Sequence, residues 1–246
     1  MILDNIVRAL RTQNWLAAGI EFIIVICGLV IGLQINAWYE NHQAAEREAS
    51  YLLQLDGELT AIVEELDSGR EAADAYFGWI MLFFDGVENG DPEEAQKGSW
   101  GLNAITEVIS VNLEPAALSE LISAGELSLI RNRELRAALA SIPNMQRRSD
   151  SGLEQMALVL SPIASEISLH FETRLEDVED ISKREYTTRT VQFDFEAVAQ
   201  NETLLRRINY AALQNRFLAD HLRRNQADVV EIRDQVRAEI ERRGLG

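Results

Sequence analysis

Three histidines, one cysteine and a surplus of carboxylates are the groups in this chain that could do chemistry. His42, His170 and His221 are far apart in sequence. None belongs to an HExxH pair, in which two imidazoles four residues apart on one helix face hold zinc. The lone Cys27 falls in an apolar run, so the rest of the chain has no thiolate for a metal and no disulfide. Neighbouring acids such as Glu64 and Glu65, or Glu176, Asp177, Glu179 and Asp180, are common in a chain with 40 Asp and Glu and read as solvated faces before they read as an acid–base pair. The stretch DGVENGDPEEAQKGS, Asp85 to Ser99, has the look of a calcium loop. Counted from Asp85, however, the third position is Val87 and the twelfth is Gln96, where a ligating acid is required. No nucleophile elbow, phosphate-cradling loop or dinucleotide fingerprint occurs. The sequence therefore predicts no catalytic residue, no metal site and no cofactor; an enzyme is not expected.

Two other groupings carry the chemistry of association. At 100° per residue, Asn14, Ala18, Glu21, Val25, Gly28, Gly32 and Asn36 fall within an arc of about 80°. Gly28 and Gly32 have the GxxxG spacing that lets two membrane helices approach closely, and Glu21 and Asn36 can hydrogen-bond across such a contact. Glycine is also common in membrane helices, and Glu21 lies near the edge of the span where water reaches it, so a passive anchor stays open. Proton carriage by Glu21 is a further idea, but no second ionisable group shares the span. The second grouping is aromatic. Tyr76, Phe77, Trp79, Phe83, Phe84 and Trp100 either line a small-molecule pocket or form ordinary core.

The element that must position the first grouping is Leu16 to Trp38, with twelve uninterrupted apolar or Gly residues from Phe22 to Leu33. Its 23 residues, at about 1.5 Å each, span about 34 Å, enough to cross a hydrocarbon core of roughly 30 Å. Trp15 and Trp38 bracket it as interfacial anchors. It is too long for a cleaved signal peptide, and an uncleaved signal anchor is expected. Arg8 and Arg11 precede it, whereas Glu40, Glu46, Arg47 and Glu48 follow. The positive-inside rule then places residues 1–15 as a cytoplasmic amphipathic segment, 16–38 as a transmembrane helix in the lipid bilayer, and 39–246 as an extracytoplasmic helical domain. In a bacterium this means the inner membrane and the periplasm.

Beyond the span no Pro or Gly intervenes before Leu55, and Leu52, Leu55, Leu59, Ile62 and Leu66 repeat at heptad, coiled-coil spacing. One helix is expected to run through to about Phe84, followed by the polar loop to Ser99. Trp100–Val111 and Pro115–Ala124 read as short helices, and Asn132 as a cap for the next. Pro143 and Pro162 are expected to divide the stretch to about Arg174, and Glu172–Thr190 to be irregular. From Asn201 to Arg243 the positions Leu204, Ile208, Ala211, Asn215, Leu218, Leu222, Asn225, Val229, Ile232, Val236 and Ile240 predict one long helix. Its two Asn either set register from the core or sit on partly exposed seams. An antiparallel pairing of the two long helices would build an elongated bundle, so the fold class is all-α.

The net charge is −17, and residues 1–38 contribute nothing to it because Asp4 and Glu21 cancel Arg8 and Arg11. An acidic domain of this kind repels phosphate backbones, which excludes a nucleic-acid partner.

Two stretches are familiar. GIEFIIVICGLVIGLQINAWYENHQ, from Gly19, resembles the N-terminal signature of a family of bacterial single-span membrane proteins carrying a domain of unknown function, in which GE precedes a VVIGILIALQINNWNE-like run. This chain departs by placing Ile20 between Gly19 and Glu21. ALSELISAGELSLIRNRELRAAL, ending at Leu139, resembles a second, ELISSGNLSLIRN-like stretch of that family. The resemblance implies the topology and no activity. The expected function is a membrane-anchored periplasmic scaffold or accessory subunit, acting through a homo-oligomer or another membrane protein. The alternative is a small-molecule sensing module that signals through a partner.

Overall fold

The computed structural model describes residues 15–105, 109–175 and 188–245. The chain divides into two compact units, residues 1–50 and 51–246. Helix α1, Trp15–Asn89, is continuous over 75 residues.

In the first unit every residue from Phe22 to Gln43 is exposed. This part of α1 is long and apolar enough to cross a membrane, with a mean hydropathy of 2.0 over its most apolar 18 residues and none of them buried. A helix that is apolar on all sides belongs in apolar surroundings.

The second unit is almost entirely helical. The end of α1 lies at Asn89, five residues past the expected Phe84, and it is closed by Gly90 at φ 70° while the Asp91 amide donates to the Gly86 carbonyl at 2.8 Å. The expected loop holds a second helix, α2 (Pro92–Gly98). Asp91 caps it by accepting from the Glu93 and Glu94 amides, with Pro at the first position. The chain can double back this tightly because of its glycines: a Cβ on Gly98 would collide with the Phe83 backbone, and one on Gly86 with that of Ala95. Ser99–Ile105 is a 3-10 turn where an α-helix from Trp100 was expected. Gly101 lies so close to Ile80 that a Cβ there would stand 2.6 Å from its nitrogen.

Helix α3 (Ala116–Ser123) starts after Pro115 with no cap from its own side chains. Glu58 of α1 supplies one, accepting from the Ala117 amide at 2.9 Å. After the 3-10 turn Leu127–Leu129, Asn132 caps helix α4 (Arg133–His170), accepting from the amides of Glu134 and Leu135. The expected breaks at Pro143 and Pro162 do not occur, and α4 runs through both for 38 residues. Each Pro removes one helical hydrogen bond at a cost of about 3 kcal/mol. The buried stripe Leu135, Leu139, Ile142, Met145, Leu160, Ile163 and Ile167 flanks both and offsets this.

The stretch expected to be irregular contains paired strands. β1 (Phe171–Leu175) runs antiparallel to β2 (Thr188–Phe193), and residues 176–187 lie outside the described residues. The Phe171 and Phe193 rings, 4.8 Å apart, close on Phe83, which anchors the hairpin to the core. A short helix α5 (Phe195–Ala199) then leads to α6 (Glu202–Arg243), which Asn201 caps and Gly244, at φ 66°, ends.

All eleven stripe positions of α6 are buried, both Asn included. α6 pairs antiparallel to α1: Arg237 bonds Asp56 at 2.6 Å, and Arg216 bonds Asp74 at 3.2 Å. Leu52, Leu55, Leu59, Ile62 and Leu66 meet Leu218–Ile240 in one core, and Ile80 and Phe83 meet Leu204–Ala212 in another.

Candidate functional site

On the apolar part of α1, a Cβ placed on Gly28 or Gly32 meets no atom within 4 Å, and Val25 beside them is 67% exposed. The groove that GxxxG provides is therefore open. Asn36 donates to Glu40 Oε1 at 2.7 Å, and Trp38 stacks on His42 with ring centroids 5.6 Å apart. Asn14 and the side chains of Ala18 and Glu21 lie outside the described residues.

The six aromatics do not form one lining. Phe83 is fully buried and packs edge-on against Phe84; Tyr76 stacks on Trp100 at 6.4 Å; Phe77 lies under the Arg216 guanidinium at 5.7 Å; Trp79 is 41% exposed.

The structure instead brings together residues that periodicity did not pair. Where α4 crosses α6, Ser149 and Asn225 are buried and His221 is half-buried. His221 Nε2 lies 3.2 Å from Ser149 Oγ and 3.2 Å from Asn225 Nδ2, which is itself 3.4 Å from Ser149 Oγ. The Asn225 amide nitrogen can only donate, so Nε2 accepts and the neutral ring carries its proton on Nδ1. Burial, and then the nearby Arg224, hold the His221 pKa below its ordinary 6.5, which keeps the ring neutral at pH 7.

His221 also forms one wall of a cavity of about 330 Å³, whose other walls include Gly152, Met156, Val159, Phe217 and Leu218. Phe217 is 62% exposed, and Tyr210 and Leu213 continue the apolar surface along α6. Next to this cavity is an open shelf formed by Arg147 and Arg148, and the two share Gly152 and Gln155. One sequence signal pointed here. Tyr210, Leu213 and Phe217 make a second apolar stripe on α6, apart from its core stripe.

A further polar cluster ties the start of α4 to the last turn of α6. Glu239, with only 1% of its side chain accessible, accepts from Asn132 Nδ2 at 3.0 Å, from Arg243 Nε at 2.6 Å and from Arg242. Burial by itself raises the carboxyl pKa, but these three donors outweigh it and hold the group below its ordinary 4.5. Among the described residues no three His, Cys, Asp or Glu are grouped to hold a metal ion.

Compared with protein-family models, with curated proteins and with solved structures, the chain has no match.

Proposed function

We propose that this protein is a membrane-anchored helical scaffold or accessory subunit of the bacterial inner membrane, with its N-terminus cytoplasmic and residues 39–246 periplasmic. It acts by associating through the Gly28–Gly32 face, either with its own copies or with another membrane protein. The observation that carries this reading is the state of α1: exposed from Phe22 to Gln43, apolar or Gly without interruption from Phe22 to Leu33, and open at both glycines. Helices in lipid gain little by hiding apolar area from one another, so close backbone approach and buried polar contacts drive their pairing. Val25 and Asn36 lie on the same face as the glycines. The aromatics on which small-molecule sensing would rest are divided among core, surface stack and solvent, so association is the reading carried forward.

The test is the doubly substituted Gly28→Ile, Gly32→Ile protein, extracted in mild detergent and compared with the parent by light scattering and by the proteins that co-purify. Loss of the oligomer or of a specific companion is expected; an unchanged profile overturns the reading. The topology is tested separately in a Cys27→Ala background carrying Glu154→Cys, an exposed position on α4. A membrane-impermeant maleimide added to cells with permeabilised outer membranes labels a periplasmic domain, and labelling only after lysis excludes one.

A further inference from the structure

The cavity between α4 and α6 has a direction. At one end stand the neutral His221 ring, bonded inward to Ser149 and Asn225, and the shelf of Arg147 and Arg148. At the other end stand Met156, Val159 and Phe217, where the wall is apolar and runs on into exposed Leu213 and Tyr210. Gly152 marks the junction, and a Cβ there meets nothing within 4 Å.

Charge makes the polar end unusual. The chain has 40 acids against 23 Lys and Arg, and most arginines of α6 are held by carboxylates. Arg147 instead donates to the Pro143 carbonyl and to Asn144, and Arg148 pairs with no carboxylate among the described residues. Of the acids nearby, Asp150 accepts from Gln146 at 2.7 Å and Asp220 pairs with Arg223 at 2.6 Å. Two adjacent guanidinium groups free of carboxylates, beside an apolar cavity, match an anionic head followed by an apolar tail. A volume of about 330 Å³ is at the lower end for small-ligand pockets, which run from roughly 300 to 1,000 Å³. From Gly152 to Val159 the helix advances about 10 Å, room for a chain of roughly eight carbons.

We propose that the α4–α6 groove binds a single-chain anionic amphiphile of the fatty-acid class, its carboxylate at Arg147 and Arg148 and its alkyl chain between Met156 and Phe217. The site stands apart from the membrane-helix face and does not depend on it. The His221 Nδ1–H has no partner among the described residues, and its ring lines the same cavity.

The experiment uses the full-length protein in phosphatidylcholine nanodiscs, photolabelled with a diazirine-bearing decanoic acid or with the matching decanol, followed by peptide mapping. Gly152→Trp places a bulky side chain at the junction, where a Cβ meets nothing within 4 Å, and its thermal melt checks the fold. Arg147→Gln with Arg148→Gln removes the head contacts. Labelling by the acid is expected within 152–159 and 214–221; it falls about tenfold in the doubly substituted arginine variant, the loss of a charge-assisted hydrogen bond, and is lost in Gly152→Trp, which occupies the chain's place. Labelling confined to the membrane helix, labelling retained in Gly152→Trp, or equal labelling by acid and alcohol overturns the proposal.

Discussion

At Asn215 the side-chain amide nitrogen is buried with no partner among the described residues, whereas Asn225, nearly three turns further along α6, is satisfied by His221 and Ser149. The two look alike in sequence and differ in energy. A buried unsatisfied donor costs about 1–3 kcal/mol, so Asn215→Leu is expected to raise unfolding stability by about that amount, read from urea melts. Asn225→Leu is expected to lower it, because Ser149 and His221 keep each other but lose the amide that bonds both. Glu239 gives a pH signature. Its native pKa lies below its unfolded value, so its contribution is complete above the ordinary range near 4.5 and is lost as the pH falls through that range toward the native value. Melts stepped from pH 6 to pH 3 should show stability falling in the parent, and falling less steeply in Glu239→Gln. The stripe on α6 marks Asn215 and Asn225 as core or partly exposed seam positions without deciding between the two, and Glu239 lies off it. Their partners were not legible, because Ser149 and His221 are 72 residues apart and the pairing depends on how α4 crosses α6.

Helix α4 is where reasoning from local preference and the observed fold part most clearly. Pro162 is exposed on the outer face, so what it removes from the helix is one backbone donor, with no packing gained in return. Pro162→Ala is expected to stabilise by about 1–3 kcal/mol, seen as a raised urea midpoint with an unchanged m-value. Long amphipathic stretches such as Glu202–Arg243 were readable because their periodicity is sustained and their caps, Asn201 and Gly244, are ordinary ones. From Asp85 to Ser99 the glycines and Pro92 suggest a loop in the sequence, whereas the structure holds the end of α1 and all of α2 there. Gly86 and Gly98 are there so that two backbones can touch, a requirement set by a distant chain segment. The strands Phe171–Leu175 and Thr188–Phe193 were missed for the same reason, since each is stable only through the other and through Phe83.

Within the second unit, the pairing of α1 with α6 shows both charge and packing, and magnitudes decide which matters. Asp56 and Arg237 are 29% and 44% accessible, so their coupling in a double-mutant cycle is expected to be under about 1 kcal/mol and to fall with added salt. Leu59→Ala, at a fully buried site facing the same helix, is expected to cost about 2–5 kcal/mol. The all-α class and both long helices were legible because apolar periodicity states which face is buried. The groove between α4 and α6 was not, since a cavity belongs to the gap between two elements and leaves no period in either. The closing contacts also fix an order of events. Asp56 and Arg237 are 181 residues apart, so the part of the Leu52–Leu66 stripe that α6 covers stays bare until almost the whole chain has been synthesised, although α3 and α4 share the same core earlier. During that interval the nascent protein displays a run of leucines that chaperones recognise. A chain that stops short of α6 leaves the α6-facing side of the run uncovered, which marks it for proteolysis.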